Sequence, residues 1–370
     1  MSNTANPASP SQPALAAVIW ADTGRKAACD AWLTEVGPQH DLVPASLRLA
    51  SADASFRRYL RIDSAQGSRI IMDAPPDKED CRPFVRIAGM MAQAGLKVPQ
   101  VLAWEQTHGF LLLDDLGLQT MMQAIDPEHP EANLALYMQA VDALVLWQKA
   151  SQEGVLPPYD EALLQRELGL FPQWYLQQHR AITPDTKMAA TLASSFELIV
   201  RENLSWPKVY VHRDFMPRNL MMPVPAHAGA VADPRLGVLD FQDAVHGPIT
   251  YDIASLMRDA FLSWDESFVL DVTVRYWEKA RAAGLPVGED FGAFYRGVEW
   301  MGLQRHLKVA GIFARLSLRD GKPQYLADTP RFIAYIRATC ARYRELKPLL
   351  RLVDQVEGIE AQGGYAFGRV

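Results

Sequence analysis

Asp214, Asn219 and Asp240 are the residues of this chain whose types and spacing could do chemistry. A β-type run, Val209-Tyr210-Val211, leads into His212-Arg213-Asp214, and after four intervening residues comes Asn219. A second apolar run, from Leu236 to Leu239, delivers Asp240, 21 residues beyond Asn219. Phosphoryl transfer to an alcohol needs one carboxylate to meet the hydroxyl, and an amide oxygen and a second carboxylate to share a Mg²⁺ ion. Asp214 is therefore the expected base, and Asn219 and Asp240 are the expected metal ligands. Any one of them alone could merely stabilise a turn. Two charged hairpin turns without chemistry would not call for all three together at this spacing. His212 is expected to orient the loop from a packed position, with Arg213 beside it as support.

These residues need a scaffold, and the chain supplies elements on both sides. Residues 1–13, polar and rich in Pro and Ser, read as disordered. From Ala14 to about Val36 the positions of Ala17, Trp20, Ala27 and Trp32 suit an amphipathic helix. The stretch from Ser46 to Pro76 reads as three strands separated by a small-residue turn at Ala50 to Ser55 and a second turn at Gly67. Small residues let backbone amides approach a phosphate, which makes Ser55 a candidate nucleotide contact. Residues 79–95 look helical and stop at Gly95. The strand-like VPQVLAWE and GFLLLDDLG follow, the latter ending in Asp114, Asp115 and Gly117. Helical patterning dominates from Ala132 onward: 132–151, 161–180 and 184–203 before the catalytic stretch, then 252–262, 265–283, 290–318 and 328–348. The expected layout is a first lobe over 14–115 and a mostly helical second lobe over 116–370.

Composition bounds the class. At 370 residues, with 49% hydrophobic and 22% charged residues, the chain is long enough for two lobes of a globular protein. A net charge of −6 argues against nucleic acid as a partner, and no run of 18 apolar residues is present to span a membrane. Cys29, Cys81 and Cys340 are widely spaced and lack metal-ligand spacing. The first residues lack the basic head and apolar core of a secretory leader. A cytoplasmic enzyme with no obligate protein partner is the expectation.

With the motifs placed, the chain resembles the aminoglycoside phosphotransferase and choline kinase superfamily. Within it, the chain is most similar to bacterial anomeric kinases of cell-wall amino sugars. The superfamily resemblance rests on HRDFMPRNLM and LDFQDAVHGPITYD; the subgroup rests on MDAPP, FQDAVHGPITYD and QRHLKVAGIFARL. It implies an α+β, bilobal, protein-kinase-like fold with a small β-rich N-lobe and a larger helical C-lobe. It also implies ATP and Mg²⁺ as cofactors. The implied reaction is phosphorylation of the C1 hydroxyl of N-acetylmuramate and N-acetylglucosamine in peptidoglycan recycling, with aminoglycosides or other small alcohols as the alternative acceptors. A third possibility is a non-catalytic nucleotide-binding protein. In such folds the strand joining the lobes holds adenine through its backbone, so Leu112, Leu113, Asp114 and Asp115 are candidates by position. Asp252 is similar to the superfamily aspartate that braces the catalytic loop, or else caps a helix.

Two departures from the kinase pattern stand out. The strand Arg69-Ile70-Ile71-Met72-Asp73 carries no phosphate-binding lysine. Arg58, sharing a strand face with Leu60 and Ile62, is the candidate to replace it, or else a solvated arginine at the lobe edge. Gln242 stands where Asp-Phe-Gly would place glycine, which argues against an activation-loop flip and a protein substrate. The substrate candidates are Asp243, near the sugar or metal, and Arg305 and Lys308. The latter two share a helix face at i, i+3 and could receive the lactyl carboxylate of N-acetylmuramate, or form an ordinary solvated face.

Overall fold

The computed structural model describes residues 18–20, 22–52, 56–224 and 233–360. The segment 1–13 expected to be disordered, and Ser55, lie outside the described residues. Two compact units emerge, one from residues 1–92 and 98–117, the other from 93–97 and 118–370.

The first unit is a five-stranded antiparallel sheet in the order β1-β2-β3-β5-β4. Its strands are β1 (Leu42–Ala52), β2 (Arg58–Ser64), β3 (Gly67–Asp73), β4 (Val101–Glu105) and β5 (Phe110–Asp114). Helix α1 (Thr23–Val36) begins where Asp22 accepts the amides of Gly24 and Arg25. It lays Cys29, Trp32, Leu33 and Val36 on Leu60, Ile62, Ile71, Phe110 and Leu112. These strand residues lie in register across three strands, so period-2 alternation creates the face that α1 covers. Helix α2 (Arg82–Gln93) buries Phe84, Ile87, Ala88 and Met91, an i, i+3, i+4, i+7 stripe.

The second unit is helical: α3 (Met121–Ala124), α4 (Leu134–Lys149), α5 (Glu161–Leu168), α6 (Thr186–Leu204), α7 (Thr250–Met257), α8 (Glu266–Ala282), α9 (Phe291–Leu318), α10 (Thr329–Arg342) and α11 (Lys347–Glu357). Two antiparallel strand pairs sit among them: β6 (Lys208–Val211) with β9 (Val245–Pro248), and β7 (Leu220–Met221) with β8 (Gly237–Val238). Among the described residues no helix is long and apolar enough to cross a membrane.

The helix expected over 161–180 divides in two. Helix α5 ends at Leu168, and the chain continues as a π-helix over Phe171–His179, where Pro172 has no N–H to extend the regular ladder. The wider turns pack on α9 at Gly311, where an added Cβ would lie 2.4 Å from the Leu170 carbonyl. Helix α11 was not among the expected elements. Its stripe Leu349, Leu352, Val353 and Val356 is buried, and it ends at Gly358 in the left-handed conformation.

Candidate active site

Strand β6 ends at Val211, and the chain then turns over a buried carboxylate. Asp252, wholly buried in α7, accepts the amide of His212 at 2.7 Å through Oδ2 and that of Arg213 at 3.0 Å through Oδ1. Burial raises its pKa, partly offset by His212 and these two amides. Of its two expected roles, the brace of the loop is the one these contacts describe. Sequence spacing alone could not choose, because the cap and the brace call for the same residue type.

His212 is equally buried and links the two polar motifs. The Asp214 amide donates to its Nδ1 at 3.2 Å, and its Nε2 lies 3.0 Å from the Leu239 carbonyl. An Nδ1 that accepts and an Nε2 that donates define the neutral imidazole. Burial lowers the His212 pKa, in keeping with that form. Leu239 immediately precedes Asp240, so one ring ties the loop carrying Asp214 to the segment carrying Asp240.

Asn219 completes the link. Its Nδ2 donates to the Asp214 carbonyl at 2.8 Å and to Asp240 Oδ2 at 3.3 Å. Its backbone carbonyl accepts from Leu239 N at 2.9 Å. With Nδ2 turned inward, Oδ1 is the end of the amide that could meet a cation. Asn219 and Asp240 together offer hard oxygen donors, which suit Mg²⁺. Among the described residues no group of three or more His, Cys, Asp or Glu could hold a metal. Two protein ligands suit an ion that keeps its remaining positions for water and phosphate oxygens. Gln242 Nε2 donates to Asp240 Oδ1 at 2.9 Å and fixes the carboxylate from the other side, while Phe241 is wholly buried beneath it. Asp243 is exposed at the same turn, within 3.4 Å of the Gln242 amide.

Behind the loop lies a charged cluster that the motif does not announce. Arg213 Nη2 meets Glu167 Oε1 at 2.7 Å, and Lys308 Nζ meets the same oxygen at 3.0 Å. Tyr159 donates its hydroxyl to Glu167 Oε2 at 2.5 Å. Burial alone would raise the Glu167 pKa, but Lys308 and Arg213 hold it at about 2. Arg305 Nη1 donates to the Arg213 carbonyl at 2.7 Å, and its guanidinium lies 4.8 Å from the Tyr251 ring centroid. Arg305 and Lys308 thus do share a helix face, as their spacing predicts. Arg305 is buried beside the Arg213 carbonyl rather than solvated, and Lys308, half-buried, already has a carboxylate partner.

In the first unit the candidate residues lie in β2 and in and just past β5. Arg58 lies on the sheet face covered by α1. Its Nε donates to Asp73 Oδ2 at 3.0 Å, beside Arg25 on the same carboxylate, and Trp20 stacks against its guanidinium. Leu112 and Leu113 sit in an interior strand paired on both sides, so the ladder engages their backbone groups. Asp114 donates its amide to the Gln100 carbonyl at 3.1 Å. Asp115 is held by Arg61 at 2.5 Å and by Ser68 Oγ at 2.6 Å.

Glu167, Tyr159 and Tyr251 are the residues that motif reading missed. The one available signal is a glutamate on the apolar side of α5, beside the buried Leu164 and Leu168.

A family model described as "Phosphotransferase enzyme family" matches residues 46–286. An N-acetylmuramate/N-acetylglucosamine kinase of Pseudomonas aeruginosa is 49% identical, over 87% of this chain and 92% of its own. A kinase of the same name from Neisseria meningitidis serogroup B is 47% identical, over 91% and 97%. Two solved structures share the fold at low identity. A choline/ethanolamine kinase family protein from Mesorhizobium loti has a TM-score of 0.55 at 15% identity, covering 88% of this chain and 99% of its own. The ADP-bound aminoglycoside phosphotransferase APH(2'')-Ib has a TM-score of 0.53 at 14% identity, covering 83% and 97%.

Proposed function

Since the chain belongs to the phosphotransferase enzyme family, we propose that it transfers the γ-phosphoryl group of ATP to the anomeric C1 hydroxyl of N-acetylmuramate and N-acetylglucosamine. The observation that carries the choice of sugar is the 47–49% identity, over nearly the whole chain, to kinases named for these two substrates. The product, a sugar 1-phosphate, would serve nucleotidyl transfer to a UDP-sugar in peptidoglycan recycling.

The chain's residues divide the work. Asp214 accepts a hydrogen bond from the sugar hydroxyl and takes its proton as the new P–O bond forms. Its main task is orientation, because phosphoryl transfer depends mostly on positioning and charge neutralisation. Asn219 Oδ1 and the Asp240 carboxylate would hold Mg²⁺, which when bound neutralises charge on the transferring phosphate. Asp252 and His212 hold the loop in register with Asp240. Arg305 keeps a buried positive charge beside the Arg213 carbonyl, behind the loop, and adds to a field that would favour an anionic sugar. Lys308 contributes to the same field with its charge offset by Glu167, and Asp243 is the exposed carboxylate nearest the proposed metal ligands.

The test is Mg²⁺-dependent ATP turnover against N-acetylmuramate, N-acetylglucosamine, kanamycin and choline, with ³¹P NMR locating the phosphate. Anomeric phosphate from the two amino sugars, absent in Asp214→Asn, is the expected result. Turnover only with kanamycin or choline would keep the chemistry and reject the substrate. No turnover with any acceptor would favour the non-catalytic reading.

A further inference from the structure

Arg213 precedes the proposed base and has a backbone φ of 80°, a region that side-chain-bearing residues occupy only with strain. Such a conformation persists only where its surroundings impose it. Three groups do so here. Asp252 takes the Arg213 amide, Arg305 Nη1 fills the Arg213 carbonyl, and Glu167 takes its guanidinium. The first two fix the peptide planes on either side. Glu167 is the anchor that reaches the side chain, from α5, 46 residues earlier in the chain.

This ion pair differs from a surface pair, which contributes little. Glu167 is 5% exposed, and both of its oxygens are engaged, one by Arg213 and Lys308 and the other by Tyr159. Neutralising the carboxylate would leave two cations gathered around one uncharged group, and the Arg213 side chain would have to leave. If φ at Arg213 returned to the ordinary region, the peptide joining it to His212 would turn over, and the bond from the Arg213 amide to Asp252 would be lost. The path of the chain into Asp214 would shift with it, and the bonds from the Asp214 amide to His212 and from Asn219 to the Asp214 carbonyl would lose their alignment. The base and the first metal ligand would lose their common reference.

We propose that Glu167 is a positioning residue for phosphoryl transfer: it holds the Arg213 guanidinium from behind the loop, preserves the left-handed backbone there, and so aims Asp214 at the acceptor hydroxyl. The proposal rests on Asp214 being the base. Glu167 itself meets Arg213, Lys308 and Tyr159, so its loss should act on turnover and leave binding of ATP and of the uncharged N-acetylglucosamine alone.

The experiment compares Glu167→Gln, Arg213→Met, the double variant and Asp214→Asn by steady-state kinetics. Glutamine still accepts the Tyr159 hydroxyl, but it removes the charge and sets an NH2 donor where Oε1 accepted Arg213 and Lys308. Misplacing the base by about an ångström should lower kcat about 10- to 100-fold in Glu167→Gln, with the KM values for ATP and N-acetylglucosamine within about twofold. Arg213→Met, which keeps the Glu167–Lys308 pair, should fall by a similar factor. The double variant should be no worse than either single one, because both remove the same contact. Wild-type kcat in Glu167→Gln, factors that multiply in the double variant, or a loss confined to KM would each overturn the proposal. If Glu167→Gln does not fold, Arg213→Met decides: reduced kcat at unchanged KM supports it, and undiminished kcat rejects it. An Asp214→Asn variant with wild-type turnover would remove the base reading and this proposal with it. An inactive Asp214→Asn beside a fully active Glu167→Gln would reject the positioning role alone.

Discussion

Asp214 is the residue on which turnover should depend most directly. In Asp214→Asn, steady-state kcat is expected to fall about 10²- to 10⁴-fold, the range associated with a positioned proton acceptor. Nucleotide affinity measured by titration should stay near wild type. The metal ligands predict a different signature. Asp240→Asn keeps the shape and removes the charge, so the Mg²⁺ concentration for half-maximal rate should rise, and chelation by EDTA should abolish turnover in the wild type. A rate independent of Mg²⁺ would contradict that assignment. Asp214, Asn219 and Asp240 were legible in sequence because catalysis requires particular residue types at a nearly fixed spacing. Glu167 was not, because nothing in the chain order connects α5 with a loop 46 residues later. Arg58 shows the converse limit. Alternation correctly groups it with Leu60 and Ile62 but does not tell which sheet face receives α1.

At the scale of elements, the long helix α9 does most of the positioning, and small residues determine how closely its neighbours approach. An alanine Cβ at Gly311 would stand 2.4 Å from the Leu170 backbone, which has no flexible end to move aside. Gly311→Ala should therefore destabilise the protein by about 1–3 kcal/mol in urea unfolding. Gly89, inside α2, has nothing within 4 Å of the same added atom. There alanine should stabilise by about 0.4–1 kcal/mol, by restricting the unfolded chain. Equal effects at the two positions would contradict the packing described. Helical periodicity marks both segments as helices, whereas the contrast between the two glycines depends on the partner surface. The π-helix after α5 has the same origin: Pro172 signals an interruption, and the fit of Leu170 on Gly311 accompanies the form it takes.

At the scale of the whole molecule, stability should peak near neutral pH and fall in acid for two named reasons. Burial, with Arg258 nearby, lowers the His306 pKa from 6.5 to about 3. The unfolded chain therefore binds a proton there that the folded one refuses, and stability is lost as pH falls from 6.5 towards 3. Glu167, depressed from 4.5 to about 2 in the folded state, adds a further loss between those values. Asp259 acts in the opposite sense. Burial raises it from 3.8 to about 6, so its contribution is present below 3.8 and disappears as pH rises through 6. Thermal unfolding between pH 4.5 and 6.5 should accordingly show a shallower acid loss in His306→Gln and a steeper one in Asp259→Asn. Parallel curves for all three proteins would show that these groups do not control the acid limb.

The sequence by itself determined the reaction chemistry, the helical and strand periodicities and the membership of the chain in a kinase-like family. Each depends on residue type and local spacing, which a linear reading retains. The tertiary structure alone decided that Asp252 braces the loop, that Arg305 and Lys308 face inward, that Arg58 belongs to the α1 face, and that Glu167 stands behind Arg213. Those outcomes depend on which distant segments share one buried volume, where a charge must find its partner or change its protonation state.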